Sequence, residues 1–148
     1  MEFTTERFAD IRHEIQPLLG AHWDEIACKT ICGPLDVNED VYRLLEQSGA
    51  LHITTAREQG RLVGYAAYIV GANAHYKTRI MAEADVFYMH PSQRRGTAGI
   101  RLLKAAEAAL HARGAHIIVN KVKVSHDVGP IFARMGYHHV ENVWMKAV

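Results

Sequence analysis

The sequence predicts a mixed α/β fold: one sheet, antiparallel in its early part and parallel where the chain crosses over late, with helices on its faces. Three observations predict it. The apolar period changes from about 3.6 residues in the first third of the chain to about 2 in the middle. Two strand-like runs meet at Gln59-Gly60, a tight turn. The segment Asp85–Gly114 reads as a strand, a proline-marked exit, an Arg/Gly-rich turn and a helix that closes on glycine. The strand after such a helix must cross over and pair parallel.

Each element follows from local signals. Phe8, Ile11, Ile15 and Leu18 recur at helical spacing behind Thr4 or Thr5 as a cap, and Pro17 is expected to end or kink that helix near Gln16. A second short helix carries His22, Trp23 and Ile26, and Gly33-Pro34 breaks the chain again. Asp36 caps the next helix with Glu39 as capping-box partner, Val37, Val41, Leu44 and Leu45 form its buried stripe, and Gly49 ends it. Ala50–Arg57 and Leu62–Val70 are hairpin strands. Ile80–Met89 is a third strand, reached through the polar connection Gly71–Arg79. After the long helix, His116–Val124 is a fourth strand of β-branched residues. Asp127 caps a short helix with Pro130 in its first turn, the stripe Val128, Ile131, Phe132 and Met135, and Gly136 as its stop. Tyr137–Lys146 is the last strand. No repeat, linker or low-complexity stretch interrupts this order, so residues 1–148 are expected to form a single domain.

Bulk properties exclude several classes. With 148 residues, 49% hydrophobic and 22% charged, the chain can bury a real core without staples. A formal net charge of +1 gives no electrostatic case for nucleic acid or a membrane surface. No apolar run approaches a membrane span. The start, MEFTTERF, has neither a basic nor an apolar leader region. Cys28 and Cys32 make no disulfide framework, so a reducing cytoplasm is the expected compartment. Ten histidines are present, but H-E-x-x-H and C-x-x-C spacings are not, and no metal site is expected.

The chemistry-bearing residues cluster around the central segment. Gly96 and Gly99 lie in a turn that opens a helix, beside Arg94 and Arg95. Bare backbone N–H groups at a helix start, next to guanidinium groups, make a pocket for a pyrophosphate. The bland alternative is a surface loop with two solvated arginines. Glu83 and Asp85 alternate on one face of the third strand, next to Phe87 and Met89. A carboxylate on a half-buried face is costly unless it is paired or used as a base or as a partner for a cation. A buried ion pair or a turn cap is the competing reading. His126 reads as base, acid or ligand, and Asp127 as the cap of the helix that follows. Lys121 and Lys123 share a strand face with Val119 and read equally as solvated side chains.

Gln93-Arg94-Arg95-Gly96-Thr97-Ala98 fits the Q/R-x-x-G-x-G/A pattern of the GCN5-related N-acetyltransferases (GNAT). From about Thr5 onward the element order also resembles that fold, a mostly antiparallel mixed sheet with splayed central strands and flanking helices. The resemblance implies acetyl-coenzyme A as cofactor and direct transfer of its acetyl group to an amine-bearing acceptor. It implies that the amides of Arg95, Gly96, Thr97, Ala98 and Gly99 cradle the pyrophosphate, with Arg94 beside them, that Phe87, Tyr88 and Met89 lend backbone groups to the pantetheine arm, and that Ser125 also contacts the cofactor. Asp85, Glu83 and His126 would then carry the catalysis. His22, Trp23, His75, Tyr76 and Lys123 would face the acceptor. This sequence departs from the family in three ways: Phe132 stands where a proton-donating tyrosine is frequent, Ser125 where asparagine is frequent, and Gly99 competes with Ala98 for the last glycine place. His22-Trp23, His75-Tyr76-Lys77, Arg94-Arg95-Gly96, Val122-Lys123 and His126-Asp127 further resemble small phage and prophage acetyltransferases. The resemblance supplies no acceptor and leaves monomer and homodimer open. Rival readings are an inactive acyl-CoA-binding or partner-binding protein and a phage-type nucleic-acid-modifying acyltransferase.

Overall fold

In the computed structural model, which describes residues 1–148, the chain runs β1 (Glu2–Thr5), α1 (Phe8–Ile26), α2 (Lys29–Cys32), α3 (Glu39–Gln47), β2 (Leu51–Glu58), β3 (Arg61–Asn73), β4 (Tyr76–Met89), α4 (Ala98–Ala112), β5 (Ile117–Val119) and α5 (Gly129–Arg134). The strands form one five-stranded sheet in the order β1-β2-β3-β4-β5. Neighbours are antiparallel except β4 and β5, which the α4 crossover makes parallel. The mixed, mostly antiparallel architecture expected from the sequence is the one observed. No helix is long and apolar enough to cross a membrane.

The period-2 pattern divides β3 between two cores. Ala66, Tyr68 and Val70 point to α4 and pack with Ala56, Leu102, Ala106 and Leu110. Tyr65 and Ala67 point the other way, against Phe8, Ile11, Ile15 and Leu18 of α1. A register shift opposite Ala67/Tyr68 interrupts the β3–β4 ladder: Val86 faces Ala67 and Ala84 faces Tyr68, which leaves Asp85 without a partner. Asp85 is therefore a bulge, and bulges re-aim side chains.

Several local expectations are corrected. Pro17 does not end the first helix; α1 continues to Ile26 and absorbs the segment of His22 and Trp23. The stripe Phe8, Ile11, Ile15, Leu18 and His22 stays buried through the proline, and that packing outweighs one lost backbone bond. Neither Thr4 nor Thr5 caps α1. Both lie in β1, a strand too short to show a pattern, and the Glu46 carboxylate of α3 accepts from the Phe8 and Ala9 amides at 2.5 and 3.4 Å instead. Asn38, not Asp36, caps α3 by accepting from the Val41 amide. Tyr42 and Leu45 face the core of α3, whereas Val41 and Leu44 are exposed. The fourth strand shrinks to Ile117–Val119, and the segment from Tyr137 onward forms no strand.

Phe132 completes the inner face of α5. It is 7% exposed, and its ring meets Tyr137 edge-on with centroids 5.3 Å apart. Truncation to alanine leaves a cavity there, so Phe132→Ala is expected to cost about 3–5 kcal/mol. Chemical denaturation checks this; a variant as stable as the parent contradicts the packing of α5.

Candidate active site

The turn between β4 and α4 is built from glycine and unused backbone. Gly96 sits at φ +67°, a left-handed conformation that side-chain-bearing residues adopt at a cost. The amides of Gln93 and Arg94 bond back to His90 and Pro91. Those of Arg95, Gly96, Thr97, Ala98, Gly99 and Ile100 have no backbone or side-chain acceptor. Consecutive free N–H groups at the positive end of a 15-residue helix suit an anion. A Cβ at Gly96 would meet nothing within 4 Å, so the space above the turn is open.

The two arginines separate in role. Arg94 donates Nε to the Met89 carbonyl at 2.8 Å and both terminal nitrogens to Glu25, each at 2.6 Å. It lies over the Tyr88 ring and fastens the turn to the end of α1, with its charge matched by Glu25. The same bonds hold the Glu25 carboxyl below its ordinary range. Arg95 is exposed and forms no ion pair, so its charge is free beside the amides.

Beside this turn the sheet opens. β4 and β5 pair only over Met81–Glu83 and Ile117–Val119; beyond that β4 runs on to Met89 without a neighbour on that side. The His90 amide bonds to the Val63 carbonyl, which fixes the ladder. Tyr88 and Val86 then spend their backbone groups on β3, while those of Phe87 and Met89 face the gap. Arg94 takes the Met89 carbonyl. Tyr88 thus contributes its ring, stacked on His22 at 4.8 Å, rather than its backbone.

On the α1–α3 face, the bulge hands Asp85 to Tyr42, whose hydroxyl donates to Oδ2 at 2.6 Å. Tyr42 is held by a ring stack on Phe8. Burial, then Asp85 itself, pushes the Tyr42 hydroxyl well above its usual range, so it remains a donor. Asp85 is exposed and has no cation partner. Glu83 is exposed as well, not half-buried, and pairs with Lys121.

His22 is 5% exposed and shares a 3.0 Å hydrogen bond between Nδ1 and the Tyr65 hydroxyl. Glu25 reaches Arg94 and, at 3.6 Å, His126 Nε2. The fold therefore gathers His22, Glu25, Tyr88, Arg94 and His126, and the Lys123 ammonium lies within electrostatic reach of His22. Ser125 is exposed in the turn closed by the His126 amide on the Lys123 carbonyl. Trp23 lines a cavity of about 420 Å³ between α1 and the chain around α2, together with Gly20, Asp24 and Leu35, and its Nε1 is buried without an acceptor. His75 and Tyr76 are not brought together with these groups: they form the tip of the β3–β4 hairpin, roughly 30 Å along the strand from Asp85. Sequence reading missed Glu25, Tyr42 and Tyr65. Glu25 lies three residues after His22 and so shares its helix face. Nothing in the local pattern singles out Tyr42 or Tyr65; each is identified by the contact it makes in the fold.

Buried histidines, one on each face of the sheet, give the fold a pH dependence. Burial lowers His22 to about 4, and does the same to His52, which is 1% exposed and bonds Thr54. The unfolded chain binds both protons near pH 6.5, the folded chain only near 4, so stability falls as pH drops through that window. At pH 5 the expected loss is about 2 kcal/mol for each histidine relative to pH 7.5. Urea denaturation at the two pH values measures it; equal stability would contradict burial of neutral imidazoles.

Comparison with known proteins agrees with this geometry. The profile of the acetyltransferase (GNAT) domain matches residues 28–147. No protein of curated function matches significantly by sequence. Among solved structures, a ribosomal-protein-alanine N-acetyltransferase from Brucella melitensis biovar Abortus 2308 superposes with a TM-score of 0.71 at 17% identity, over 100% of this chain and 98% of that one. An aminoglycoside acetyltransferase from an uncultured soil metagenomic sample gives 0.74 at 16%, over 99% and 97%. A predicted acetyltransferase from Clostridium acetobutylicum, solved with acetyl-CoA, gives 0.72 at 16%, over 99% and 95%. The chain belongs to the GNAT acetyltransferase family.

Proposed function

We propose that the chain N-acetylates an amine by direct transfer from acetyl-coenzyme A, with the cofactor in the gap beside β4 and the acceptor entering over Asp85. The observation that carries this is the run of unpartnered amides from Arg95 to Ile100 next to an unpaired stretch of β4. Those amides and the free Arg95 guanidinium suit a pyrophosphate, and the open space above Gly96 leaves room for one. The bound thioester supplies an activated acetyl group. Backbone N–H groups of Phe87 and Met89 are placed to polarise a carbonyl in the gap. The Asp85 carboxylate holds the acceptor ammonium and takes its proton, and Tyr42 orients that carboxylate. His126 is the second polar group, set by Glu25. Glu83 is the alternate base only if Lys121 releases it. His22, Trp23 and Lys123 border the acceptor side, whereas His75 and Tyr76 reach an acceptor only if it is large. Cys28 and Cys32, in and beside α2, serve no covalent step. The structural relatives act on aminoglycosides and on a ribosomal protein, and the chemistry these share is an amine. Cytoplasmic location, on the cysteine usage, and phage or prophage origin, on the motifs that suggested it, belong to this reading.

A second reading is favoured by Phe132, which is buried and offers no proton to a leaving thiolate. The chain would then bind acyl-CoA without turnover. One assay separates the two: coenzyme A release followed with a thiol reagent against polyamines, aminoglycosides, peptides and nucleosides bearing amines. Amine-dependent release supports the enzyme. Tight acetyl-CoA binding with no release for any amine supports the binder.

A further inference from the structure

The gap beside β4 begins at one pair of residues. Glu83 and Val119 are the last partners of the parallel ladder, so Ala84 and Asn120 mark the point where the two strands part. Side chains along a strand alternate between its faces. Ile118 packs into the core under α4, and Asn120, two residues on, points the same way: its Oδ1 accepts from the Tyr68 hydroxyl at 3.0 Å. Asp85 lies beside the same vertex, and the bulge turns it to the other face, toward Tyr42 of α3.

Tyr68 occupies only one end of the Asn120 amide. The other end, Nδ2, is buried without an acceptor. A buried donor left without a partner is costly, and its presence in a fold calls for a reason. The side chains around it supply none. The Tyr137 hydroxyl lies between Asn120 and Glu107 of α4, yet not at hydrogen-bond distance from Nδ2. The Phe132 ring meets Tyr137 edge-on, so the position that lacks a hydroxyl is one side chain away on this same face. The wall that carries Asn120 is also free to yield as the gap fills, because the amides of Asn120 to Val124 bond to no backbone acceptor.

We propose that Asn120 donates its free N–H to the sulfur of coenzyme A as the acetyl group leaves it. This rests on the acetyl-transfer reading above and concerns the leaving side of the same centre. The amine forms its C–N bond from the Asp85 face and gives its proton to Asp85. The C–S bond breaks, and its electron pair passes to sulfur on the α4 face. Asn120 holds the resulting negative charge by a hydrogen bond and transfers no proton; the thiolate takes one from water on release. A hydrogen bond to a charged acceptor is stronger than a neutral one, and this charge appears only as the bond breaks, so the contact favours the transition state over the ground state. Burial holds the Tyr68 and Tyr137 hydroxyls well above their ordinary range, which makes both poor proton sources.

Calorimetric titration of the full chain tests this with two ligands: coenzyme A, which has a thiol, and acetyl-coenzyme A, which has none. A donor at the sulfur favours the thiolate. Between about pH 7 and about pH 9, affinity for coenzyme A is therefore expected to rise about tenfold relative to acetyl-coenzyme A. Tyr68, Tyr137 and Glu107 face the vertex from the α4 side, and Glu83, Lys121 and Asp85 from the other. Two variants separate Asn120 from them. Asn120→Asp keeps an acceptor for Tyr68 and loses the donor; Asn120→Ala loses both, and denaturation shows that each is folded. The rise is expected to vanish in both, with acetyl-coenzyme A affinity kept and turnover lowered about tenfold or more. A rise that survives in a folded variant would overturn the role of Asn120. No rise in the parent protein, with acetyl-coenzyme A bound normally, would overturn the proposal and leave the acetyl-transfer reading standing. Binding of neither ligand would overturn that reading and the proposal with it.

Discussion

Asp85→Asn is expected to lower turnover by about 10²–10⁴-fold while acetyl-CoA affinity stays at the parent value. Asparagine keeps the shape and can still accept from the Tyr42 hydroxyl, so the bulge and the α3–β4 contact survive. What it removes is the negative charge and the ability to accept a proton. If Asp85 only holds the acceptor, the Michaelis constant rises and turnover is kept. Tyr42→Phe separates positioning from chemistry: it leaves the carboxylate but frees its orientation, so a smaller loss is expected. Steady-state kinetics with the best amine from the release assay gives all of these values. Near-normal kinetics for Asp85→Asn would place the active centre elsewhere.

Gly96→Asp is expected to weaken acetyl-CoA binding by tenfold or more. Charge-assisted hydrogen bonds are worth roughly 1.5–3 kcal/mol each, and a carboxylate in the turn opposes the pyrophosphate at the place where the free amides converge. Gly96 also has φ +67°, so any side chain adds strain. Gly96→Asn controls for that, because asparagine tolerates the left-handed region and carries no charge. A small loss for asparagine and a large one for aspartate, by calorimetric titration of folded protein, is the expected pattern. Equal and full affinity for both would remove the cradle from this turn.

The fold was legible where local chemistry and packing agree. The Gln59-Gly60 turn, the alternation in β3 and the glycine stops at Gly49, Gly114 and Gly136 all report their own conformations, each with a positive φ at the turn or stop. Pro17 misled because a buried stripe on both sides of it overrode a local breaker. β1 was invisible because Glu2–Thr5 is held by pairing with β2 and by Glu6 on Arg57, both far away in sequence. The last strand was expected because its residues are strand-forming, yet a strand exists only with a neighbour to bond.

The site was legible in part. The Arg/Gly turn names itself, since glycine and arginine there have few other uses. The division of labour between Arg94 and Arg95 was not, because it depends on Glu25 arriving from the far end of α1. Asp85 was found by its charge in an apolar strand, but its position depends on a bulge that no local pattern signals. Tyr42 could not be found at all without the contact it makes.

The central claim is that the amides from Arg95 to Ile100 hold the pyrophosphate of acetyl-coenzyme A. Titrating acetyl-CoA into isotope-labelled protein and following backbone amide resonances tests it directly. The account predicts downfield shifts at Gly96, Thr97, Ala98, Gly99 and Ile100, saturating together with the binding isotherm, as free N–H groups gain acceptors. Saturable binding that leaves these amides unmoved and shifts others would contradict it.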